Sequence, residues 1–172
     1  MDNKIIIKKN PNGDTRTAPN GITFEQFHKA NESHRDDVYN VMNKLSSIIK
    51  ETGIKHDWTK SEEYSYNESA LGKYEHMFYD DFTKSMKGEL NFVEGRWYKM
   101  HVAKERHHLL SRCPEDVNLI DVIEMVVDCT VAGLARSGEV RPMEINSDIL
   151  MKAVENTSKM IQEMVTVDDE QN

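Results

Sequence analysis

Residues 118–135 read NLIDVIEMVVDCTVAGLA, and this stretch decides the fold. Leu119, Ile120, Val122, Ile123, Met125, Val126, Val127, Val131 and Leu134 leave no polar side to speak of, so a helix here needs other helices around it. Gly138 and Pro142 supply its end. Upstream, Phe92 to Leu110 lacks proline and sets Phe92, Trp97, Met100, Val102 and Leu109 where a helix can bury them, until Pro114 forces a break. The polar run 61–87 with scattered aromatics predicts a helix from about Leu71 to Met86, ended by Gly88. Val38, Val41, Met42, Leu45, Ile48 and Ile49 recur at the spacing of one buried helical face, with Gly53 as the stop. Thr23-Phe24-Glu25-Gln26 fits a capping box, and Ser147 can cap a last helix through Ile149, Leu150, Val154, Met160, Ile161 and Met164.

Five or six helices with little strand signal predict an all-α bundle. Residues 1–22 read as an arm with a short strand over 4–9, 23–165 as the helical domain, and 166–172 as a disordered acidic tail. A chain of 172 residues can bury about 70% of its unfolded surface without a disulfide. Its 22 Lys+Arg against 30 Asp+Glu give a net charge of −8, which disfavours broad nucleic-acid coating. Cys113 and Cys129 sit in helical or near-helical segments and read as reduced. No stretch approaches the roughly 18 apolar residues of a membrane span, and Ile5 to Ile7 is too short for a secretion signal, so a cytoplasmic address is expected.

Histidines and carboxylates carry the chemistry. His34 lies one turn before Val38 on the Val41/Leu45 stripe, which predicts an imidazole facing the interior. The plain alternative is a core histidine bonded to a backbone carbonyl. His56-Asp57 follows the same helix and offers two ligands that a divalent cation accepts. Asp121, Glu124 and Asp128 form a carboxylate stripe on the apolar helix, and buried carboxylates need a cation, a base or a proton. Pairing with Lys or Arg from a neighbouring helix, or a solvated start for Asp121, would also account for it. His101, His107 and His108 form a second cluster, with 101 and 108 on one face if the helix is continuous. Two readings stay open for it: ligands to a second metal, or an anion site among Lys99, Lys104, Arg106 and Arg112. His28 and His76 have no such company.

His34, His56-Asp57 and a late helical Asp on an all-helical chain resemble the HD superfamily of metal-dependent phosphohydrolases. The five residues HDWTK fit the His-Asp-x-x-Lys that many members carry, and the resemblance implies a phosphate-contacting role for Lys60. It covers about 23–136 and gives the closing-ligand role to Asp128, with Asp121 second. In detail Asp14-Thr15-Arg16-Thr17, HDWTK, the His-His pair and Ile-Glu-Met-x-x-Asp are similar to a small group of mainly phage and prophage proteins without assigned activity. An HD-like bundle with one or two divalent ions (Mn, Co, Ni, Mg, Zn or Fe) is implied, and a homodimer in the cytoplasm, or the host cytoplasm for a phage-encoded chain.

The resemblance implies hydrolysis of a nucleotide, a deoxynucleoside mono- or triphosphate, by attack of metal-activated water on phosphorus. His34, His56, Asp57 and Asp128 would hold the first ion, and His101 and His108 a second. Asp57, Glu124 and Lys60 are the catalytic candidates, with Glu124 orienting the water. Lys60 with Arg106 or His107 would neutralise phosphate, Glu62 and Glu63 are further candidates, and Trp58, Trp97 and Tyr98 could stack a base. Two other functions compete: a di-iron oxygenase on the same scaffold, for which His101 and His108 are indispensable, and a non-catalytic phage adaptor that binds a host protein.

Overall fold

Thr23 and Gln26 exchange the two hydrogen bonds of a capping box: the Thr23 N–H donates to Gln26 Oε1 at 2.9 Å and the Gln26 N–H to Thr23 Oγ1 at 3.2 Å. From this cap α1 runs as one helix over Phe24–Lys55. Gly53 does not stop it, because one glycine costs a helix only about 1 kcal/mol and the last turn continues to Lys55. The computed structural model describes residues 4–60, 66–68, 74–140 and 142–168. Among these residues the fold is all-α with a short N-terminal strand: β1 (Ile5–Lys8), α1, the β2 (Tyr66–Glu68) and β3 (Tyr74–His76) hairpin, α2 (Met77–Met86), α3 (Arg96–Lys104), α4 (Leu119–Ser137), α5 (Ser147–Met164) and β4 (Val165–Asp168). No described helix is long and apolar enough to cross a membrane.

The chain divides into two compact units, Met1–Glu51 with Glu155–Asn172, and Thr52–Val154. This differs from the arm, domain and tail read from composition. In the first unit β1 pairs in parallel with β4, Ile5 opposite Val165 and Lys8 opposite Asp168. Residues 166–168, expected in a disordered tail, therefore belong to a strand whose backbone groups are satisfied by the β-branched run at the other end of the sequence. The expected start of α2 near Leu71 lies outside the described residues, and the segment just before Met77 is strand β3.

In the second unit, Leu109, Val117, Met125 and Ala153 form the apolar centre, flanked by Leu119, Val122, Ile145 and Ile149. Asn118 caps α4 by accepting from the N–H groups of Ile120 and Asp121, while Asp121 Oδ2 accepts from the Asn118 N–H at 2.9 Å. Asn146, one residue before the expected Ser147, caps α5 by accepting from the Asp148 N–H at 2.8 Å. The helix expected over 92–110 is shorter: a 3-10 turn at Phe92–Glu94 precedes α3, which ends at Lys104. Asp81 of α2 holds the start of α3, its Oδ2 accepting from the Trp97 N–H at 2.9 Å. A Cβ on Gly95 would stand 2.6 Å from that oxygen, so only glycine lets α2 and α3 approach this closely. The apolar α4 is not enclosed on all sides, since Ile123, Val126, Val127, Val131 and Leu134 are 40–59% exposed in the chain taken alone.

Candidate metal centre

Just past α1 the backbone turns through Asp57, whose φ of +56° is a left-handed conformation that Asp tolerates better than most side chains. The turn folds Asp57 back toward its neighbour, with His56 Nε2 3.4 Å from Asp57 Oδ2. Glu124 and Asp128 stand one turn apart on α4 and face the same spot. His56 Nδ1–H donates to Glu124 Oε1 at 3.0 Å, and His107 Nδ1–H donates to the same oxygen at 3.1 Å. Both rings thereby turn their Nε2 atoms toward Asp128, at 3.4 Å for His56 and 4.0 Å for His107.

His101 is held from the other side. The single hydroxyl hydrogen of Thr59 goes to Glu105 Oε1 at 2.6 Å, because an ionised carboxylate can only accept, and the Thr59 N–H donates to the same oxygen at 2.9 Å. Thr59 Oγ1 must then accept from His101 Nδ1–H, at 2.6 Å. His101 Nε2 is left with a lone pair, 3.4 Å from Asp57 Oδ1 and 2.7 Å from His108 Nε2. Trp97 stacks on the His101 ring at 4.5 Å and Phe78 on Trp97 at 4.1 Å, which locks the imidazole plane. His101 and His108 thus meet although they do not share a helix. The pull of Glu105 toward the Thr59 donors ends α3, and the following loop brings His107 and His108 back.

Burial holds the His101 imidazole down to about 3 and His108 to about 4, with the neighbouring histidines adding to it, so both are neutral and able to act as ligands. Burial also opposes charge on His107, but the hydrogen bond to Glu124 and the carboxylates Asp57 and Asp128 outweigh it and raise its pKa. The same carboxylates would favour a cation in place of that proton. Burial opposes ionisation of Asp57 and Glu124, yet the Lys60 ammonium on Asp57 and the two imidazoles on Glu124 keep both below their ordinary range.

Asp57 Oδ1 and His107 Nε2 are buried with no hydrogen-bond partner among the described residues. Buried polar atoms are rarely left so. Three sets of donor atoms converge: His56, His107 and Asp128; His101, His107 and His108; and Asp57, His101 and Glu105. Imidazole nitrogens anchored through their other nitrogen, facing carboxylate oxygens, are what a transition-metal or zinc site requires. The residues present fit a divalent cation.

Several expectations change. His34 is exposed on α1 and belongs to none of the convergent sets among the described residues. His107, expected to touch phosphate, takes a place among the metal donors. Glu124 orients two imidazoles, and its engaged oxygen is not free to position water. Arg106 forms a fork with Asp121 at 2.7 and 2.8 Å and also meets Asp116, so it braces the loop against α4 and is not free for phosphate. That pairing and the cap of α4 occupy Asp121, and of the two α4 aspartates it is Asp128 that faces His56 Nε2. Lys60 pairs with Asp57 Oδ2.

Trp97 is 2% exposed and forms a wall, while Trp58 is 42% exposed with the Lys104 ammonium 5.8 Å from its ring centre. His28 is an exposed partner of Glu32 at 3.5 Å, and Glu62 and Glu63 lie outside the described residues. Thr59 and Glu105 were missed as functional residues. Their signal was present: Thr59 sits inside HDWTK, and Glu105 follows His101 by four residues.

Residues 23–167 match a protein family described as a family of unknown function (DUF5662). No curated protein and no solved structure matches the chain.

Proposed function

The chain belongs to DUF5662, a family of unknown function, and on its side-chain chemistry we propose that it is a divalent-metal-dependent phosphohydrolase of the HD kind that acts on a nucleotide. The observation that supports this is the pair of buried, unpartnered donors, Asp57 Oδ1 and His107 Nε2, surrounded by three more imidazoles and Asp128. His56, His107 and Asp128 would hold one ion and His101 and His108 a second, with Asp57 between them. Ions so held supply Lewis acidity toward a phosphoryl oxygen and make water acidic enough to attack near neutral pH.

The chain's own residues do the rest. Glu124 keeps the Nδ1 atoms of His56 and His107 protonated, so their lone pairs face inward. Thr59 and Glu105 do the same for His101. Lys60, which pairs with Asp57, would neutralise a phosphate oxygen. Hydrolysis breaks the bond between phosphorus and the departing oxygen, forms one to the water oxygen, and passes a water proton to the departing group.

The four imidazoles also favour a second reading, a di-iron oxygenase, because nitrogen donors suit iron. One panel separates the two. Metal content is measured on the purified protein, then phosphate release from deoxynucleoside mono- and triphosphates with Mn²⁺, Co²⁺, Ni²⁺ or Mg²⁺. Release that needs the added ion, and is lost in Asp57→Ala with folding intact, is expected. No release with any ion, together with bound iron and oxygen consumption, would replace the hydrolase by the oxygenase.

A further inference from the structure

A cavity of about 510 Å³ opens beside His101, His108 and Lys60. Its walls are apolar: α2 contributes Phe78, Phe82 and Met86 from one face, at the spacing of successive turns, and Phe92 and Tyr98 also line it. Phe82 is 47% exposed, so at least one aromatic surface is available to a ligand, unlike Trp97 behind it. Arg136, in the last turn of α4, lines it as well. Among the described lining residues there is no carboxylate, in a chain whose net charge is −8. Arg136 follows Asp128 by eight residues on the same face of α4, a separation of about 12 Å along the axis.

The cavity thus combines Lys60, which Asp57 engages, and two imidazoles with aromatic walls and the Arg136 side chain. An exposed guanidinium among described lining residues that include no carboxylate suits a second anion, and the aromatic walls suit a flat ring stacked on them. We propose that this cavity is the substrate subsite, that it takes a molecule with an aromatic ring and two separate anionic groups, and that Arg136 selects for the second anion. The placing of the first anion beside the imidazoles rests on the hydrolase reading above. Within that reading the substrate class narrows to nucleotides with two separated phosphates, as in a nucleoside 3′,5′-bisphosphate. Lys60 and Arg136 divide the work: one meets the phosphate that reacts, the other the phosphate that is read.

The test compares deoxyadenosine 5′-monophosphate with deoxyadenosine 3′,5′-bisphosphate on the full Mn²⁺-loaded chain. Binding is read by stopped-flow quenching of tryptophan fluorescence, before turnover, and phosphate release is measured separately. The bisphosphate is expected to bind about tenfold tighter than the monophosphate, the worth of one charge-assisted contact. Arg136→Gln should bring the affinity for the bisphosphate down to that for the monophosphate, and Arg136→Lys should restore part of the preference. Equal affinity for the two ligands, no binding of either, or a preference that survives Arg136→Gln would overturn the assignment of Arg136, even if phosphate is released. A preference that depends on Arg136 without phosphate release would support the subsite and refute the hydrolase.

Discussion

At the scale of single residues, the centre depends as much on what holds the imidazoles as on the imidazoles themselves. Glu124 Oε1 receives both His56 and His107, so Glu124→Gln replaces an ionised acceptor by a neutral amide at two rings together. Metal affinity is expected to fall about 10- to 100-fold, as for other outer-shell partners, measured by competition with a chromophoric chelator. An unchanged affinity would show that the rings are held by packing alone. Thr59→Val keeps the volume but removes the acceptor that sets the His101 tautomer and one donor to Glu105. It should lower stability by about 1–3 kcal/mol in denaturant titration and weaken metal binding, while Thr59→Ser retains both. The sequence made the ligand types legible at His56, Asp57 and Asp128, because His-Asp and a carboxylate on an apolar helix are local patterns. What covers the helical face of His34, and which oxygen of Glu124 is engaged, could not be read, since both depend on contacts far apart in the chain.

At the scale of elements, α4 carries the centre and its start is doubly fixed. Asn118 caps it, and Asp121 both returns the capping bond and grips Arg106. Asn118→Ala should cost about 1 kcal/mol, and the loss should exceed the cost to metal affinity, because Glu124 and Asp128 lie one and two turns further in. Equilibrium unfolding followed by metal titration separates the two effects. The helix periods of α1, α4 and α5 were legible from apolar spacing and caps. The end of α3 was not, because it is set by Glu105 turning toward Thr59, a partner 46 residues away. The strand β4 was hidden by its shortness: Val165–Asp168 alternates apolar and polar residues, with Val165, Thr166 and Val167 β-branched, for only four positions, and its partner Ile5–Lys8 lies at the other end of the sequence.

At the scale of the whole molecule, the all-α class followed from the number of apolar helical segments, while the division into Met1–Glu51 with Glu155–Asn172 and Thr52–Val154 did not, since no linker composition marks it. Every donor of the candidate centre falls in the second unit. Divalent metal at 100 times its dissociation constant should add about 2.7 kcal/mol to the stability of the folded state. For a chain of this length that is a rise of roughly 5–10 °C in melting temperature. Calorimetry with and without Mn²⁺ checks it, and the rise should vanish in Asp57→Ala.

The parallel pairing of Ile5 with Val165 sets a delay on biosynthesis. At about 5–20 residues per second, translation reaches the second strand roughly 8–30 s after the first. Throughout that interval three consecutive isoleucines wait as a bare β-edge, the kind of segment that recruits other nascent chains. Lys4, Lys8 and Lys9 flank them and act as gatekeepers, their charges keeping one waiting edge from joining another. Exchanging Lys8 and Lys9 for threonine should send much of the newly made protein into inclusion bodies while the purified soluble fraction melts within a few degrees of the parent, a contrast that soluble yield and calorimetry would reveal together.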